Sequence, residues 1–480
     1  MPLISSPTHP SSAQYSAMTG LIYVFNVIVG TGALAIPGVV HSSGYLLSSL
    51  VLVALALVSY ITVTFVIESM AISNAIILTS PPTPPSLPPD DADSLDPGET
   101  DEDDPLISTS INQQQILSRA CFDISRTVEM GHMARLYFPK YGVVLFYTTL
   151  VVYLYGDLAI YITVVSKSLR DVTCSKNLTL NELNSTCTEF FSPKIDRFGA
   201  YRLFCILFIL TIGPFAFLNI SKTKYLQVAT TLLRWTAFTT MITLAIQRIT
   251  TTSPPISPEI SNIRQLPTLF GVSIYSFMCH HSLPSLVTPI RSKKSINLLF
   301  AMDYCLIATF YILLSVTGVF AFKEVQDLYT LNFIRDGDGG FINYLLALFP
   351  VFTLSTNFPI ISITLKNNLR TLFDYESEFS NVIYTLLAIV PPFLVSVFVQ
   401  DVQLLVNFTG SFAGAGIQYV IPSVILYQAR RRVGLGSSNP YSSPFRGDGW
   451  IYGVLVWCGV SVGLVLVHMF GGESGISRRK

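Results

Sequence analysis

Charged side chains are scarce in this sequence. Asp, Glu, Lys and Arg make up only 12% of its 480 residues, about half the share of an ordinary soluble domain. The 29 basic residues balance the 29 acidic ones, so there is no net field to hold a nucleic acid. The seven cysteines show no metal-ligand spacing, and Cys121, Cys205, Cys279, Cys305 and Cys458 read as packing residues. No nucleophile, base and orienting group recur at usable spacing, and His280-His281 has no carboxylate beside it. Neither enzyme chemistry nor a cofactor is therefore indicated. The start of the chain lacks the basic n-region of a cleavable signal peptide, and the first apolar run, being full length, is expected to act as its own insertion signal.

What is abundant is hydrocarbon. Half of the residues are hydrophobic and the mean hydropathy is +0.54, the signature of an all-α integral membrane protein with many crossings. A window of about 20 residues, enough to span the hydrocarbon core, finds eleven candidate transmembrane helices. They are expected near 20–40, 46–70, 143–165, 201–217, 227–248, 268–287, 300–322, 341–364, 382–398, 404–427 and 450–470. The implied organisation is a short cytosolic start (1–19), a core of ten helices (20–427), a polar connector (72–140), a second connector (166–200) and a last helix (450–470).

Two signals orient the chain. The 166–200 connector holds the glycosylation sequons at Asn177 and Asn184 and a cysteine pair, Cys174 and Cys187, able to form a disulfide in an oxidising lumen. Alternation then places on the cytosolic side the connectors with Lys222 and Lys224, Arg291 to Lys294, Lys366 and Arg370, and Arg430 to Arg432. These are the short basic ones, as the positive-inside rule requires. Arg478, Arg479 and Lys480 fall on the other side, which leaves the eleventh helix the least supported.

The connector after the second helix reads TSPPTPPSLPPDDADSLDPGETDEDDPLI over 79–107, proline-rich and then acidic, a composition expected to be disordered. It ends in an acidic dileucine pattern, with Glu102 four residues before Leu106 and Ile107. A clathrin adaptor reads such a pattern in extended chain, which points to an endosomal or lysosomal membrane, with the plasma membrane as the other address. An acidic linker followed by two aliphatic residues without a sorting role is the plainer alternative.

Two stretches interrupt the apolar pattern. NVIVGTGALAIP (Asn26 to Pro37) puts Gly-Thr-Gly and a proline inside the first helix, and GVSIYSFMCHHSLPSL (Gly271 to Leu286) puts small polar residues, two histidines and a proline inside the sixth. Unbonded backbone in hydrocarbon is costly, so a break persists only where it lines a cavity or binds something. Close packing against a neighbour explains one glycine-rich helix. Matched breaks in corresponding helices are instead the mark of inverted-repeat secondary transporters.

The same residues carry a resemblance. NVIVGTGALAIP resembles the first-helix signature of the amino acid/auxin permease family, FMCHHSLPSL (Phe277 to Leu286) its sixth-helix motif, and VNFTGSFAGAGIQYVIPSVIL (Val406 to Leu426) its tenth helix. That resemblance implies a LeuT-like five-plus-five inverted repeat with broken helices 1 and 6, alternating access, and small amino acids or related zwitterions as substrates.

Substrate contacts are expected at Asn26, Gly30, Thr31 and Gly32, where amides opening the second half-helix suit a carboxylate. Carbonyls near Tyr275 to Phe277 suit an ammonium. Tyr275, Phe277 and Met278 are candidate pocket walls, with lipid-facing or core packing as the alternative. Asp157, in YLYGDLAIY, is the acid set deepest in the bilayer and the leading proton-coupling residue; the alternative is a static acid tying helix three to helix one. Arg234 is displaced from it by about 10 Å in axial order, a poor direct partner. His280 and His281 are further proton candidates, one of them suited to capping the unwound backbone. Glu68 and Asp303 are expected at solvated helix ends. Sodium is the other coupling ion, and the resemblance assigns it Thr353, Ser355 and Thr356, although their spacing to Asn357-Phe358-Pro359 departs from the sodium-coupled pattern. The competing function is an amino acid sensor that binds in the same pocket, reports through 79–140 and moves little solute.

Overall fold

The computed structural model describes residues 14–79, 119–174, 187, 195–217, 224–251, 256–335, 340–373, 377, 379–433 and 439–471. Glu102, Leu106, Ile107, Asn177 and Asn184 lie outside these residues. Among the described residues the architecture is all helical apart from isolated bridges such as Tyr15 with Ile290.

The first span is two helices, α1 (Ala17–Ile28) and α2 (Thr31–Ser43), bent by 55°. Ser16 starts α1 by accepting the Thr19 amide at 3.2 Å. At Gly44 φ is 85°, and a Cβ there would lie 2.5 Å from Ser261 N, so glycine alone turns the chain into α3 (Tyr45–Thr79). A short α4 (Met130–Tyr137) precedes α5 (Lys140–Thr173), α6 (Arg197–Ile212) and α7 (Lys224–Thr251). The second break follows: α8 (Leu266–Ser276) stops, and after a tight turn at His280–Ser282 the chain resumes as α9 (Leu283–Val287). Then come α10 (Ile296–Ala321), α11 (Phe341–Phe373) and α12 (Ser380–Phe398). α13 (Val402–Thr409) widens into π turns at Gly410–Gly414 and Gly416–Val420, continues as α14 (Ile421–Val433), and is followed by α15 (Asp448–Gly471).

Eight described helical stretches are long and apolar enough to cross a membrane, or nine with the bent α1–α2 pair taken as one span. The expected eleven is not reached on that basis. Outside the set are α7, whose many threonines dilute its apolar run, and α8 with α9, each too short alone. α3 shows how lipid is met: Leu46, Leu50, Val53 and Leu57 are exposed at helical spacing, while Leu52, Leu55 and Ser59 on the other side are buried.

In lipid there is little hydrophobic drive between helices, so packing must come from close backbone approach. A Cβ on Gly410 would sit 2.0 Å from the Gly271 carbonyl, which means α13 and α8 touch backbone to backbone. Asp327, between α10 and α11, takes Lys167 of α5 at 2.5 Å on both oxygens and the Val402 amide at 3.1 Å. This three-way tie lies at the end of the bundle where Cys174 and Cys187 are joined by a disulfide. We refer to that end as the disulfide face, and to the other, with Arg291, Lys366 and Arg430, as the basic face.

Glu68 and Asp303 are not solvated helix ends. α3 continues past Glu68 to Thr79, and the carboxylate is buried, forked with Arg430 at 2.8 and 2.9 Å and accepting the Ser443 amide at 2.8 Å. α10 begins at Ile296, a turn earlier than hydropathy suggests, which carries Asp303 into the interior at 1% exposure.

Candidate functional site

A cavity of about 1100 Å³ runs from the two breaks to the basic face. Gly30, Thr31, Asp157 and Tyr275 line its inner end, and His132 and Arg135 of α4 with Asn367 and Asn368 of α11 line its mouth. Asn26, Gly32, Met278 and His281 also border it.

The break in helix one is built by its own carbonyls and amides. The Val29 amide closes α1 on Phe25 O at 2.8 Å, and the Gly30 amide turns back to Ile28 O at 2.9 Å. The expected cradle of three amides is thus reduced, because Gly30 already has an acceptor; Thr31 and Gly32 open α2, where helix geometry leaves the first amides without intrahelical partners. A Cβ on Gly30 would meet nothing within 4 Å, whereas one on Gly32 would lie 2.4 Å from Ser276 Oγ and 2.7 Å from Ser276 Cα. Gly30 therefore faces open cavity, and Gly32 is the point where α2 presses on α8.

Asp157 joins the two breaks. Tyr275 of α8 donates its hydroxyl to Asp157 Oδ1, and the same hydroxyl is 2.9 Å from Thr31 Oγ1 of α2. One hydrogen-bonded chain thus touches α5, α8 and α2, and Asp157 and Thr31 at its two ends both border the cavity.

The carbonyl end of α8 differs from expectation. Tyr275 O accepts the Met278 amide at 3.3 Å, Ser276 O accepts Tyr311 at 2.9 Å and Phe277 O accepts Tyr304 at 3.2 Å. The two tyrosines of α10 supply the donors that an ammonium was expected to provide. Phe277 turns away from the cavity: it is fully buried, its ring centroid 5.3 Å from that of Tyr311. His280 is also buried outside the cavity lining, with Nε2 2.8 Å from Thr62 Oγ1 of α3, so it pins the break to a neighbour. His281 reaches the cavity beside Tyr153, ring centroids 5.5 Å apart.

The residues named for sodium do not meet helix one around a space. Thr353 donates to Phe349 O at 3.1 Å and Thr356 to Thr353 O at 2.9 Å, both within their own helix, and Ser355 is half-buried nearby. From Asn357 onward α11 does reach the cavity, through Asn357, Ile360, Ile361 and Thr364 as well as Asn367 and Asn368 at the mouth. The helix-one carbonyls are occupied by Arg234, which sequence reasoning weighed only as a partner for Asp157. Its Nη1 donates to Asn26 O, to Asn26 Oδ1 at 3.0 Å and to Val29 O at 3.0 Å. A lone arginine in the threonine-rich run of α7 was the signal; its partners lie far away in sequence and carry no pattern of their own.

At the mouth, the protein crowded around Glu129 raises its carboxyl above the usual range, although the residue keeps an exposed side. Burial, with Arg135 adding to it, lowers the imidazole of His132. Both groups border the cavity ahead of α5 and are exposed to it.

Two broken helices in matching places of the two halves, packed against each other at the inner end of one cavity, define a LeuT-fold transporter. The crystal structure of MhsT in complex with L-phenylalanine matches with a TM-score of 0.50 at 15% identity, over 95% of this chain and 99% of that one, a likeness of fold alone. The chain belongs to the transmembrane amino acid transporter protein family, whose profile matches residues 125–462, and within it to the transmembrane protein 104 branch. It is 42% identical to the transmembrane protein 104 homolog of Drosophila melanogaster, over 95% of this chain and 97% of that one. Identity is 43% to human transmembrane protein 104 (92% and 94%) and 34% to the Dictyostelium discoideum homolog (90% and 92%).

Proposed function

We propose that this protein is a proton-coupled secondary transporter of small amino acids or related zwitterions, working by alternating access. The observation that carries the reading is the Thr31–Tyr275–Asp157 chain at the inner end of a cavity whose lining, among the described residues, reaches the basic face and not the disulfide face. The disulfide face is tied shut by Lys167 and Asp327. Positive-inside charge makes the basic face cytosolic, so this is a cytosol-open state. Asn177 and Asn184 then lie in the lumen as glycosylation sites, and Glu102 with Leu106 and Ile107 offers a clathrin adaptor a route to endosomes or lysosomes.

The chemistry follows from a shared hydroxyl. As a carboxylate, Asp157 holds the Tyr275 proton. Once protonated it supplies its own, and the Tyr275 hydroxyl is released to donate to Thr31 or to solute. Proton occupancy thereby sets the donor pattern beside the Thr31 and Gly32 amides, where a solute carboxylate would be read. The fixed cation of Arg234 on the helix-one carbonyls supports protons over sodium as the coupling ion.

A sensor is the second reading, because α4, part of the 79–140 connector, lines the mouth and would feel occupancy directly. Uptake of a labelled amino acid panel by proteoliposomes, with pH and sodium gradients varied separately, decides. Uptake that follows the proton gradient and ignores sodium supports the transporter; saturable binding without uptake supports the sensor; neither binding nor uptake rejects both.

A further inference from the structure

A second buried acid lies outside the cavity. Asp303 is 1% exposed, and neither carboxyl oxygen has a hydrogen-bond partner among the described residues. It lies buried at the base of a small, partly open cleft lined by Ala17, Gly20, Leu21 and Val24 of α1 and by Ile290 and Phe300. Every one of those walls is apolar.

The ionisable groups around it are accounted for. Cys279, Tyr304 and Tyr311 are the groups that interact electrostatically with it. Tyr304 is bonded to Phe277 O at 3.2 Å and to Cys279 Sγ at 3.3 Å, and Tyr311 to the carbonyls of Ile28 and Ser276. On α3, Tyr60 donates to Asn297 O and Glu68 is forked with Arg430; on α7, Arg234 holds α1 carbonyls. His41 of α2 lies near the opposite face, beside Glu324 and Glu259, and α1 brings only Tyr23, which borders the large cavity. Lys293, in the connector before α10, donates to Ile290 O at 2.7 Å.

A carboxylate in that place would be an unpaired charge among apolar walls, whereas a protonated acid leaves only a modest polar deficit. That burial is conditional. α1 is a separate half-helix, joined at its start by Tyr15 N to Pro289 O at 3.1 Å and Arg291 N to Tyr15 O at 3.0 Å, and ending at the break. If α1 moves off α10, water reaches Asp303 and ionisation ceases to be costly.

We propose that Asp303 is a proton-binding site, separate from Asp157, filled while α1 is seated against α10 and emptied when α1 swings aside toward the basic face. By linkage the proton stabilises the seated half-helix by the same factor by which seating strengthens proton binding. Cytosolic acidity then holds α1 in place, whichever solute is carried and whether or not Asp157 couples transport.

The test uses the full chain in lipid nanodiscs and needs no substrate. Infrared difference spectra should show a protonated-carboxyl stretch at neutral pH that disappears in Asp303→Asn and persists in Asp157→Asn. Amide exchange over α1, corrected for the intrinsic effect of pH, should rise several-fold from acid to alkaline pH in the wild type and become flat in Asp303→Asn. A carboxyl stretch unchanged by Asp303→Asn, or an unchanged pH dependence of α1 exchange, overturns the proposal. Asp303→Leu provides a second arm: a neutral acid among apolar walls is replaceable by an apolar side chain, so the variant should be monodisperse with a Tm at least that of the wild type. Failure of both variants to fold also overturns it.

Discussion

The guanidinium of Arg234 donates to the backbone carbonyl of Val29 at 3.0 Å, in the gap between α1 and α2. The residue is 5% exposed, so this cation is held inside the bundle by carbonyl dipoles and by Asn26. A broken helix exposes carbonyls that need a positive partner, and here the chain supplies its own.

Arg234→Met should leave the Asn26 and Val29 carbonyls without that donor. Hydrogen bonds to a charged group contribute about 1.5–3 kcal/mol, so Tm should fall and uptake should be lost. Sodium should raise the Tm of the variant and leave that of the wild type unchanged. Thermal unfolding with sodium or choline as the salt checks this; a sodium response in the wild type would mean that the carbonyls are open to the ion.

Asp157→Asn keeps the shape of the Thr31–Tyr275–Asp157 chain and removes its titration. Exchange of solute across proteoliposomes should continue while accumulation driven by a pH gradient disappears. Tyr275→Phe removes the link to Thr31 and should impair both, because the donor pattern at the pocket wall no longer depends on the acid. Equal accumulation in wild type and Asp157→Asn would take this residue out of coupling.

The two glycines of the first break should part company. Gly32→Ala forces a Cβ to 2.7 Å from the Ser276 backbone and should destabilise the fold by about 1–3 kcal/mol. Gly30→Ala meets no neighbour within 4 Å, so its Tm should stay near that of the wild type while its methyl group intrudes on the cavity and weakens binding. Comparison of Tm with solute-binding affinity for each variant separates packing from recognition.

Lys167→Met removes a cation whose side chain is 13% exposed and whose partner's is 16% exposed; breaking such a pair should cost at most about 3 kcal/mol. The larger effect should be on access. A cysteine placed at position 30 should become reactive to an impermeant thiol reagent added on the disulfide face, and should stay protected there when Lys167 is intact.

Orientation and sorting can be checked in cells. Asn177→Gln with Asn184→Gln should abolish a glycosidase-sensitive mass shift, and Leu106→Ala with Ile107→Ala should move the protein toward the cell surface. No shift in the unaltered protein, or an unmoved double-alanine variant, would remove the respective signal.

Both breaks were legible because glycine, proline and histidine in an apolar run have few structural excuses. Asp157 was legible for the same reason. The neighbours at the second break were not: Phe277 and Met278 are adjacent, yet one is sealed in the core and the other faces the cavity. The chain from Phe277 to Cys279 is not helical, so no periodicity assigns its faces. Arg234 and Asp303 failed differently. Axial order along helices can be counted from sequence, but which carbonyl lies opposite a side chain cannot, and a helix start misplaced by one turn puts an acid in water that is in fact enclosed.

Tyr311 has a single hydroxyl proton and two carbonyls to share it between, Ile28 O at 3.1 Å and Ser276 O at 2.9 Å. Any rocking that parts α1 from α8 obliges it to keep one and drop the other. Dropping one such bond costs about 1 kcal/mol, roughly a fivefold change in population. That is enough to make the separation a discrete event and small enough for thermal motion to reverse it. If the proposed rocking occurs, α10 would work in this respect as a slipping clutch, setting how often the two broken helices part without deciding what lies between them.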